Sequence, residues 1–118
     1  MLKHVFPKTI KRRAMFLSVM RQGTAVRTRG VVSVCQHIDA LYPFVGYTAS
    51  RKVGNAVKRN FAKRRLRALV REFSDEFLPG CAFVFIANTR TTEMKFAELK
   101  SAFCYSLRKS RNEDGGND

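Results

Sequence analysis

A basic segment between Ser50 and Phe73 constrains this chain more than any other feature. It reads SRKVGNAVKRNFAKRRLRALVREF and contains a single acid, Glu72. Gly54 permits a tight turn and Asn55 is a favourable N-cap, so the segment predicts a strand exit, a turn and a helix of roughly five turns. Nine of its residues are cationic: Arg51, Lys52, Lys58, Arg59, Lys63, Arg64, Arg65, Arg67 and Arg71.

The predicted helix divides into a buried stripe and a cationic row. Apolar residues spaced by four, three and four positions form the stripe: Ala62, Leu66, Leu69 and Phe73. Cations spaced by four form the row: Arg59, Lys63, Arg67 and Arg71. Like charges at this spacing destabilise an isolated helix by about 0.2–0.5 kcal/mol per pair. Because a merely solvated face would also carry acids, the row indicates a polyanionic partner.

The distribution of charge also favours a polyanion. Residues 1–71 contain 17 Lys and Arg but one acid, whereas residues 72–118 contain six Lys and Arg and eight acids, which gives the net charge of +14. The charge alone would suit an anionic membrane surface too. However, no apolar run approaches the ~18 residues of a membrane span, and the start of the chain is too short and polar for a signal peptide. We therefore expect a cytoplasmic protein without a membrane partner.

The length of 118 residues and the order of periodic segments predict one α+β domain, a sandwich of helices on a small sheet. We expect a folded domain over 1–108, a flexible polar tail over 109–118, and a four-stranded sheet in the order α-β-β-β-α-β-α. The predicted segments are an extended lead-in Met1–Pro7, a helix Lys8–Gln22, strands Thr24–Arg29, Gly30–His37 and Phe44–Ala49, the basic helix, a buried strand Cys81–Ala87, and a helix Glu93–Arg108.

Residues with metal-binding or catalytic chemistry are sparse and scattered. Cys35, Cys81 and Cys104 form no CxxC pair, and the two histidines, His4 and His37, are too few and too scattered to complete a zinc site. The sequence therefore predicts three reduced core thiols and no metal site. Only nine acids are present and no phosphate-binding glycine loop occurs, so catalysis by the protein alone is not expected.

Nucleic acid is the polyanion that the residue types favour. Arg and Lys suit phosphate contacts, and aromatic residues such as Phe16, Phe44 and Tyr47 can stack on unpaired bases. The basic helix follows a strand, which disfavours a helix-turn-helix reader of DNA. The pattern alone leaves open whether Phe16 and Met20 lie in the core or line a groove.

The segment KVGNAVKRN, Lys52–Asn60, followed by Lys63, Arg64 and Arg67, closely resembles the signature of the bacterial ribonuclease P protein component. The order of the other segments follows that family from about residue 8 to residue 108. The resemblance implies the small basic subunit that assists a catalytic RNA in removing the 5′ leader of precursor tRNA. It also implies a left-handed β-α-β crossover, an exception to the usual hand.

The resemblance further implies partners, a cofactor and two sets of site residues. The partners are the catalytic RNA and precursor tRNA, and no obligate protein partner is implied. Magnesium acts through the RNA. Because the RNA performs the cleavage, the protein has no catalytic residues. The residues implied to bind the catalytic RNA are Lys52, Asn55, Lys58, Arg59, Asn60, Lys63, Arg64 and Arg67. Those implied to bind the leader, in a groove between the first helix and the sheet, are Arg12, Phe16, Met20, Val31, Ser33 and Tyr47.

Two residues depart from the family pattern. Phe61 occupies a position where the family usually has Arg, and Met20 replaces an aromatic residue found in many members. Two other interpretations stay open at this point. The chain could be a general RNA-binding protein or chaperone without leader dependence, or a nuclease that needs no RNA partner.

Overall fold

A mixed five-stranded sheet forms the centre of the computed structural model, which describes residues 6–114. Its strands are β1 Lys8–Thr9, β2 Thr24–Arg27, β3 Val31–His37, β4 Phe44–Ala49 and β5 Cys81–Ala87. The strand order is β1-β4-β5-β3-β2. Strand β4 runs parallel to β1 and β5, while β3 is antiparallel to β5 and β2.

Four α-helices cover the sheet: α1 Arg13–Gln22, α2 Ala56–Glu72, α3 Thr89–Glu93 and α4 Phe96–Glu113. Short 3-10 turns at Arg51–Val53 and Ser74–Glu76 precede and follow α2. The predicted α+β class is confirmed, and strands β4 and β5 have the predicted bounds. Within residues 6–114, none of the helices combines the length and the hydropathy needed to span a bilayer.

The two faces of the sheet support two separate apolar clusters. Odd-numbered residues of β3, β4 and β5 pack against α2 and α4 in the larger cluster, where Phe83 and Phe85 meet Phe77 and Phe103. Even-numbered residues, including Val34 and Val84, pack against α1 in the smaller one. This alternation follows from the two-residue period of a strand. It assigns every strand side chain to the α2 face or to the α1 face.

The number of strands differs from the predicted four because a fifth, β1, forms where a helix was expected to begin. Lys8 donates its N–H to the Pro43 carbonyl at 2.9 Å, and Ile10 donates to the Val45 carbonyl at 3.0 Å. These bonds pair the chain with the free edge of β4. A two-residue strand has no detectable side-chain period, so its pairing partner, rather than its own sequence, determines it.

The predicted tail over 109–118 is wrong as far as Glu113, because α4 continues to that residue. Ser110 is buried and shares a 3.2 Å hydrogen bond with Ser33 of β3, while Arg111 donates to the Glu76 carbonyl at 2.9 Å. A polar composition suggested disorder, but these polar groups bind distant parts of the chain. Residues 115–118 and 1–5 lie outside the described part, so the predictions made for them stay predictions.

Helix α3 is a second element that the sequence did not predict. Asn88 caps it by accepting a 2.9 Å hydrogen bond from the Arg90 N–H, and the Thr91 hydroxyl accepts one from the Asn88 N–H at 2.9 Å. This capping box stabilises a helix of only five residues, Thr89–Glu93, which composition alone presents as a polar loop. The final helix therefore begins at Phe96 rather than at Glu93.

Candidate nucleic-acid interface

The turn before α2 depends on Gly54 and Asn55. Gly54 has φ 136° and ψ −155°, a region that only glycine adopts readily. The Asn55 side chain accepts a hydrogen bond from the Lys58 N–H at 3.0 Å, which confirms the predicted N-cap. Arg59 donates to the Gly54 carbonyl at 2.8 Å and so fixes the turn against the first helical turn. The chain leaves β4 and enters α2 with a single, defined geometry.

We expect Gly54→Ala to destabilise the protein by about 1–3 kcal/mol. An added Cβ would meet Lys58 Cδ at 2.7 Å, and the backbone angle would be strained for any L side chain. Urea unfolding measures the effect, with Asn55→Ser as the control because serine keeps a capping hydroxyl. Equal free energies of unfolding for Gly54→Ala and the wild type would show that this turn is not a constraint.

The predicted division of α2 into a buried stripe and an outward face is confirmed in outline. Ala62, Leu66 and Leu69 have no exposed surface, Val70 joins them, and Phe73 is half-buried against the same core. Steps of ~100° per residue gather Asn60, Lys63, Arg64, Arg67 and Arg71 on the outward side. Lys58 departs from this face, since nine residues separate it from Arg67 and place it about half a turn away.

The cations of the 50–73 segment have no carboxylate partner in the part of the chain that the structure describes. Across residues 6–114, the nine cations between Arg51 and Arg71 form no ion pair with any acid. The acids that do pair bind cations of α4 or His37 instead. Glu72 binds Lys100, and Glu76 binds Arg108 and Arg111, whose hydrogen bonds and charges hold the pKa of Glu76 below its usual range. The α2 surface therefore presents positive charge that no neighbouring carboxylate neutralises.

The arginines of α2 differ in how much of each is committed to the fold. Arg65 donates to the carbonyls of Thr91 and Met94 at 2.7 and 2.8 Å and so joins α2 to α3. Arg59 is partly committed through Gly54. In the described part of the chain, Arg64 and Arg67 donate no such hydrogen bond, and both are exposed. Arg64 and Arg67 are therefore available for phosphate, as is Arg71, which is also exposed and donates no such hydrogen bond within residues 6–114.

Phe61 lies beside the cations rather than in the core. Its side chain is 38% exposed, and the guanidinium groups of Arg64 and Arg65 lie 5.7 and 5.4 Å from its ring centroid. Arg65 also lies 5.5 Å from the Phe96 ring, so it is held between two aromatic residues. This arrangement orients Arg65, while Phe61 stays partly exposed. Phe61, which occupies a position where an Arg was expected, is thus part of the same surface as the α2 cations.

A second surface lies on the opposite face of the sheet, beside the start of α1. The Phe16 ring packs over Gly46 of β4, where a Cβ would meet the ring at 3.4 Å, and the side chain stays half-buried. A cleft of about 680 Å³ beside α1 is lined by Lys11, Arg12 and Phe44, and Phe16 lines a smaller cavity of about 300 Å³ that shares Lys11 and Arg12 with it. Met20 is 38% exposed on the same helix. Phe16 therefore lies at the edge of an open groove and contributes to the core as well.

Three residues assigned to this groove face the other way. Val31 and Ser33 are completely buried against α4, and Tyr47 packs beside α2, with the Arg67 guanidinium 5.3 Å from its ring. Burial raises the pKa of Tyr47 to about 12. The prediction that Val31, Ser33 and Tyr47 line the groove is wrong, because odd-numbered strand residues face α2 and α4.

The groove-lining strand residues that the sequence analysis missed are even-numbered. Phe44, Thr48 and Ile86 are only partly buried on the α1 face, because the ten-residue helix α1 contacts mainly β3 and β5. A usable signal was present in the sequence. Gly46 removes a side chain from β4 at the point where an aromatic residue must approach, and Phe44 and Thr48 share its parity.

Comparison with known families identifies residues 7–111 with the Ribonuclease P family. The ribonuclease P protein component of Geobacillus thermodenitrificans is 35% identical over 102 residues, which cover 86% of this chain and 84% of that protein. The corresponding protein of Symbiobacterium thermophilum is 41% identical over 92 residues, covering 77% and 80%.

Solved structures share the fold. A Staphylococcus aureus RNase P protein, a mutant with defective mRNA degradation activity, is 25% identical and superposes with a TM-score of 0.74, covering 87% of each chain. The RNase P protein from Thermotoga maritima is 21% identical, with a TM-score of 0.74 and coverage of 92% and 99%. The similarity thus extends over nearly the whole described chain and is not confined to the basic segment.

Proposed function

This chain belongs to the ribonuclease P protein family, and it serves as the protein subunit of the ribonucleoprotein that matures tRNA 5′ ends; from that premise we propose that its α2 surface binds the catalytic RNA. The residues that we assign to this contact are Lys52, Asn55, Arg59, Asn60, Lys63, Arg64 and Arg67, and we leave out Lys58 because it lies about half a turn from Arg67. Phe61 adds an exposed ring that can stack on a base of the same RNA.

The absence of carboxylate partners for the α2 cations, within residues 6–114, carries this proposal. Arranging like charges along one helix is unfavourable unless a ligand neutralises them, and phosphates of a structured RNA do so at a regular spacing. Arg64 and Arg67 would make direct phosphate contacts. Arg59, Arg65 and the Asn55 cap would hold the surface in the geometry that those contacts require.

We assign the 5′ leader of precursor tRNA to the groove on the α1 face. Arg12, Phe16 and Met20 remain in this set, and the partly exposed Phe44, Thr48 and Ile86 replace the three strand residues that face α2 and α4. An apolar floor with an aromatic side chain and a basic rim suits single-stranded RNA, whose bases can stack while its phosphates meet Lys and Arg.

We expect Phe16→Ala to weaken binding of precursor tRNA with a leader by about 5-fold to 100-fold, since stacking on an aromatic residue contributes about 1–3 kcal/mol per base. Binding of mature tRNA to the reconstituted ribonucleoprotein should change little, because no leader occupies the groove. Filter binding with both substrates makes the comparison, and a free energy of unfolding for the variant accounts for packing lost over Gly46. Equal weakening for both tRNAs would assign Phe16 to the core alone.

In this proposal the RNA binds the magnesium, and the α2 surface of the protein does not. The α2 surface presents no acid between Arg51 and Arg71, so it offers no hard oxygen ligands of the kind that Mg²⁺ prefers. The protein would lower the demand for Mg²⁺ by supplying positive charge near RNA phosphates. We propose that the protein acts in the cytoplasm.

We also infer a left-handed β4-α2-β5 crossover, and strand chirality supports it. In a strand of L-residues that runs upward, a residue whose side chain points to the viewer directs its N–H and C=O to the right. Val45 faces the α2 side, and its carbonyl accepts from Ile10 beside β1. Seen from α2, β1 therefore lies to the right of β4 and β5 to the left. A right-handed crossover would place β5 on the right.

Reconstitution with the catalytic RNA tests the subunit role. The protein alone should leave precursor tRNA intact, and the protein with the RNA should restore cleavage at low Mg²⁺. Cleavage by the protein without RNA would indicate a nuclease in its own right. Stimulation that is equal for substrates with and without a leader would indicate a general RNA chaperone.

A further inference from the structure

Three side chains with metal-ligating atoms converge, with a fourth on the neighbouring strand, at the end of β3 and β5 opposite to the α2 turn. Cys35 and His37 lie two residues apart on β3, and Cys81 of β5 is directly opposite His37 in the antiparallel ladder. All three are odd-numbered and share the α4 face. Asp114, which follows the last turn of α4, completes the group.

Ligand atoms in this cluster already lie close together. One ligand atom from each of Cys35, His37 and Asp114 falls within 4.8 Å of the other two, and His37 Nδ1 is 2.9 Å from an Asp114 carboxylate oxygen. Cys81 lies outside this group of three, but it is the diagonal neighbour of Cys35 on the same face of the sheet.

We propose that Cys35, Cys81, His37 and Asp114 form a zinc site of the Cys₂-His-Asp type. Thiolate, imidazole and carboxylate are the ligands of tetrahedral Zn²⁺, whereas Mg²⁺ and Ca²⁺ require oxygen ligands. Tetrahedral bonds of ~2.0–2.3 Å separate neighbouring N and O ligands by about 3.3 Å and two sulfurs by about 3.8 Å. The His37 and Asp114 atoms therefore need to separate by only a few tenths of an ångström. Each thiol loses its proton as its Zn–S bond forms.

The groups around the cluster suit a metal centre. Thr24 donates its hydroxyl to the second Asp114 oxygen at 2.9 Å and thereby fixes the carboxylate, as an outer-shell partner does. Arg111, one turn earlier on α4, would offset part of the negative charge of two thiolates and one carboxylate. Cys35 is buried and His37 is exposed, so the site is closed towards the core and open to solvent on one side.

The alternative of a Cys35–Cys81 disulfide fits the strand register less well. Cys35 pairs with Phe83 and Cys81 with His37, so the two cysteines are diagonal neighbours. Diagonal positions are ~7–8 Å apart, beyond the usual Cα separation of a disulfide. A metal ion spans that separation through two Zn–S bonds. It would fasten the end of α4 to β3 and β5.

Metal titration of the full-length protein tests this site. The protein is reduced with a non-chelating phosphine, stripped with EDTA, and titrated with Zn²⁺ against a chromophoric chelator and separately with Co²⁺ in a spectrophotometer. We expect one equivalent to bind, with a thiolate-to-cobalt charge-transfer band and a higher Tm in Zn²⁺. Cys81→Ser and Cys35→Ser should abolish the band, and Cys104→Ser, which removes the thiol outside the cluster, should keep it.

Surface variants keep the test decisive if a buried cysteine variant fails to fold. His37→Gln and Asp114→Asn alter exposed or half-buried ligands and should abolish stoichiometric binding while the apo Tm changes little. Thr24→Val should weaken Zn²⁺ binding by about 10-fold to 100-fold. No stoichiometric binding by the wild type, a Co²⁺ spectrum without thiolate bands, or full binding by both surface variants would overturn the site.

Discussion

The double variant Arg64→Gln/Arg67→Gln is expected to bind the catalytic RNA about 10-fold to 100-fold more weakly near 0.1 M salt, with an unchanged fold. Each phosphate contact contributes about 0.7–0.9 to the slope of log affinity against log salt, so the slope should decrease by about 1.4–1.8. Both side chains are exposed and have no carboxylate partner in residues 6–114, so their replacement removes charge without exposing core. Affinity measured at several salt concentrations gives both quantities.

A matched control separates a local contact from net charge. Arg27 and Arg29 are exposed on and after β2, so Arg27→Gln/Arg29→Gln removes the same two charges elsewhere. We expect this control to leave the salt slope close to that of the wild type. Equal losses in the two double variants would mean that the RNA responds to overall charge and that α2 is not a specific contact surface.

Phe103→Ala is expected to destabilise the protein by about 3–5 kcal/mol, the largest effect on stability that we predict. Phe103 has no exposed surface, and its ring lies 4.6 Å from that of Phe85 on β5 and 5.9 Å from that of Phe73 after α2. Its removal would leave a cavity where α4, the sheet and α2 meet. Urea unfolding followed by circular dichroism measures the loss.

Tyr105→Ala provides the control for Phe103, because it lies on the same helix but is 55% exposed. We expect its free energy of unfolding to stay within about 0.5 kcal/mol of the wild type. A small effect for Phe103→Ala, comparable with that of Tyr105→Ala, would mean that α4 does not share the main core. In that case the anchoring of α4 near His37 and Asp114 would rest on polar contacts.

Local signals explain why α2 could be predicted from the sequence in detail. Its N-cap, its buried stripe and its outward cations all follow from the spacing of residues along one helix, and Ala56–Glu72 has nearly the expected bounds. The sequence could not predict which arginines hydrogen-bond within the protein and which stay exposed. Arg65 binds carbonyls 26 and 29 residues away, and no local pattern distinguishes it from Arg64, its exposed neighbour.

The groove residues could not be predicted from the strands alone, because they depend on which face of the sheet α1 covers. Alternation along β3 and β4 separates two faces, but it does not say which face α1 covers. The predicted set therefore took Val31, Ser33 and Tyr47 from the wrong side. Contacts of α1 with the sheet settle the parity, and one of them, between Phe16 and Gly46, joins residues 30 positions apart.

Polar residues near the end of the chain are also ordered by contacts with distant residues, which the local sequence does not reveal. Lys109 to Asp114 reads as a charged tail, yet Ser110 binds Ser33 and Asp114 binds Thr24 and His37. Hydrogen bonds from His37 and Thr24 hold the pKa of Asp114 below its usual range although burial opposes this. The cluster with Cys35 and Cys81 was invisible for the same reason, because its members are brought together by strand register and not by spacing in sequence.

Site-specific photocrosslinking in the assembled ribonucleoprotein tests the central claim most directly. A photoreactive amino acid is placed singly at position 64 on α2, at position 16 on α1, or at position 29 as a control, with labelled catalytic RNA and precursor tRNA. Our account predicts that position 64 crosslinks to the catalytic RNA, that position 16 crosslinks to the 5′ leader, and that position 29 gives neither product. Crosslinks from position 64 to the leader, or from position 16 to the catalytic RNA, would contradict the assignment of the two surfaces.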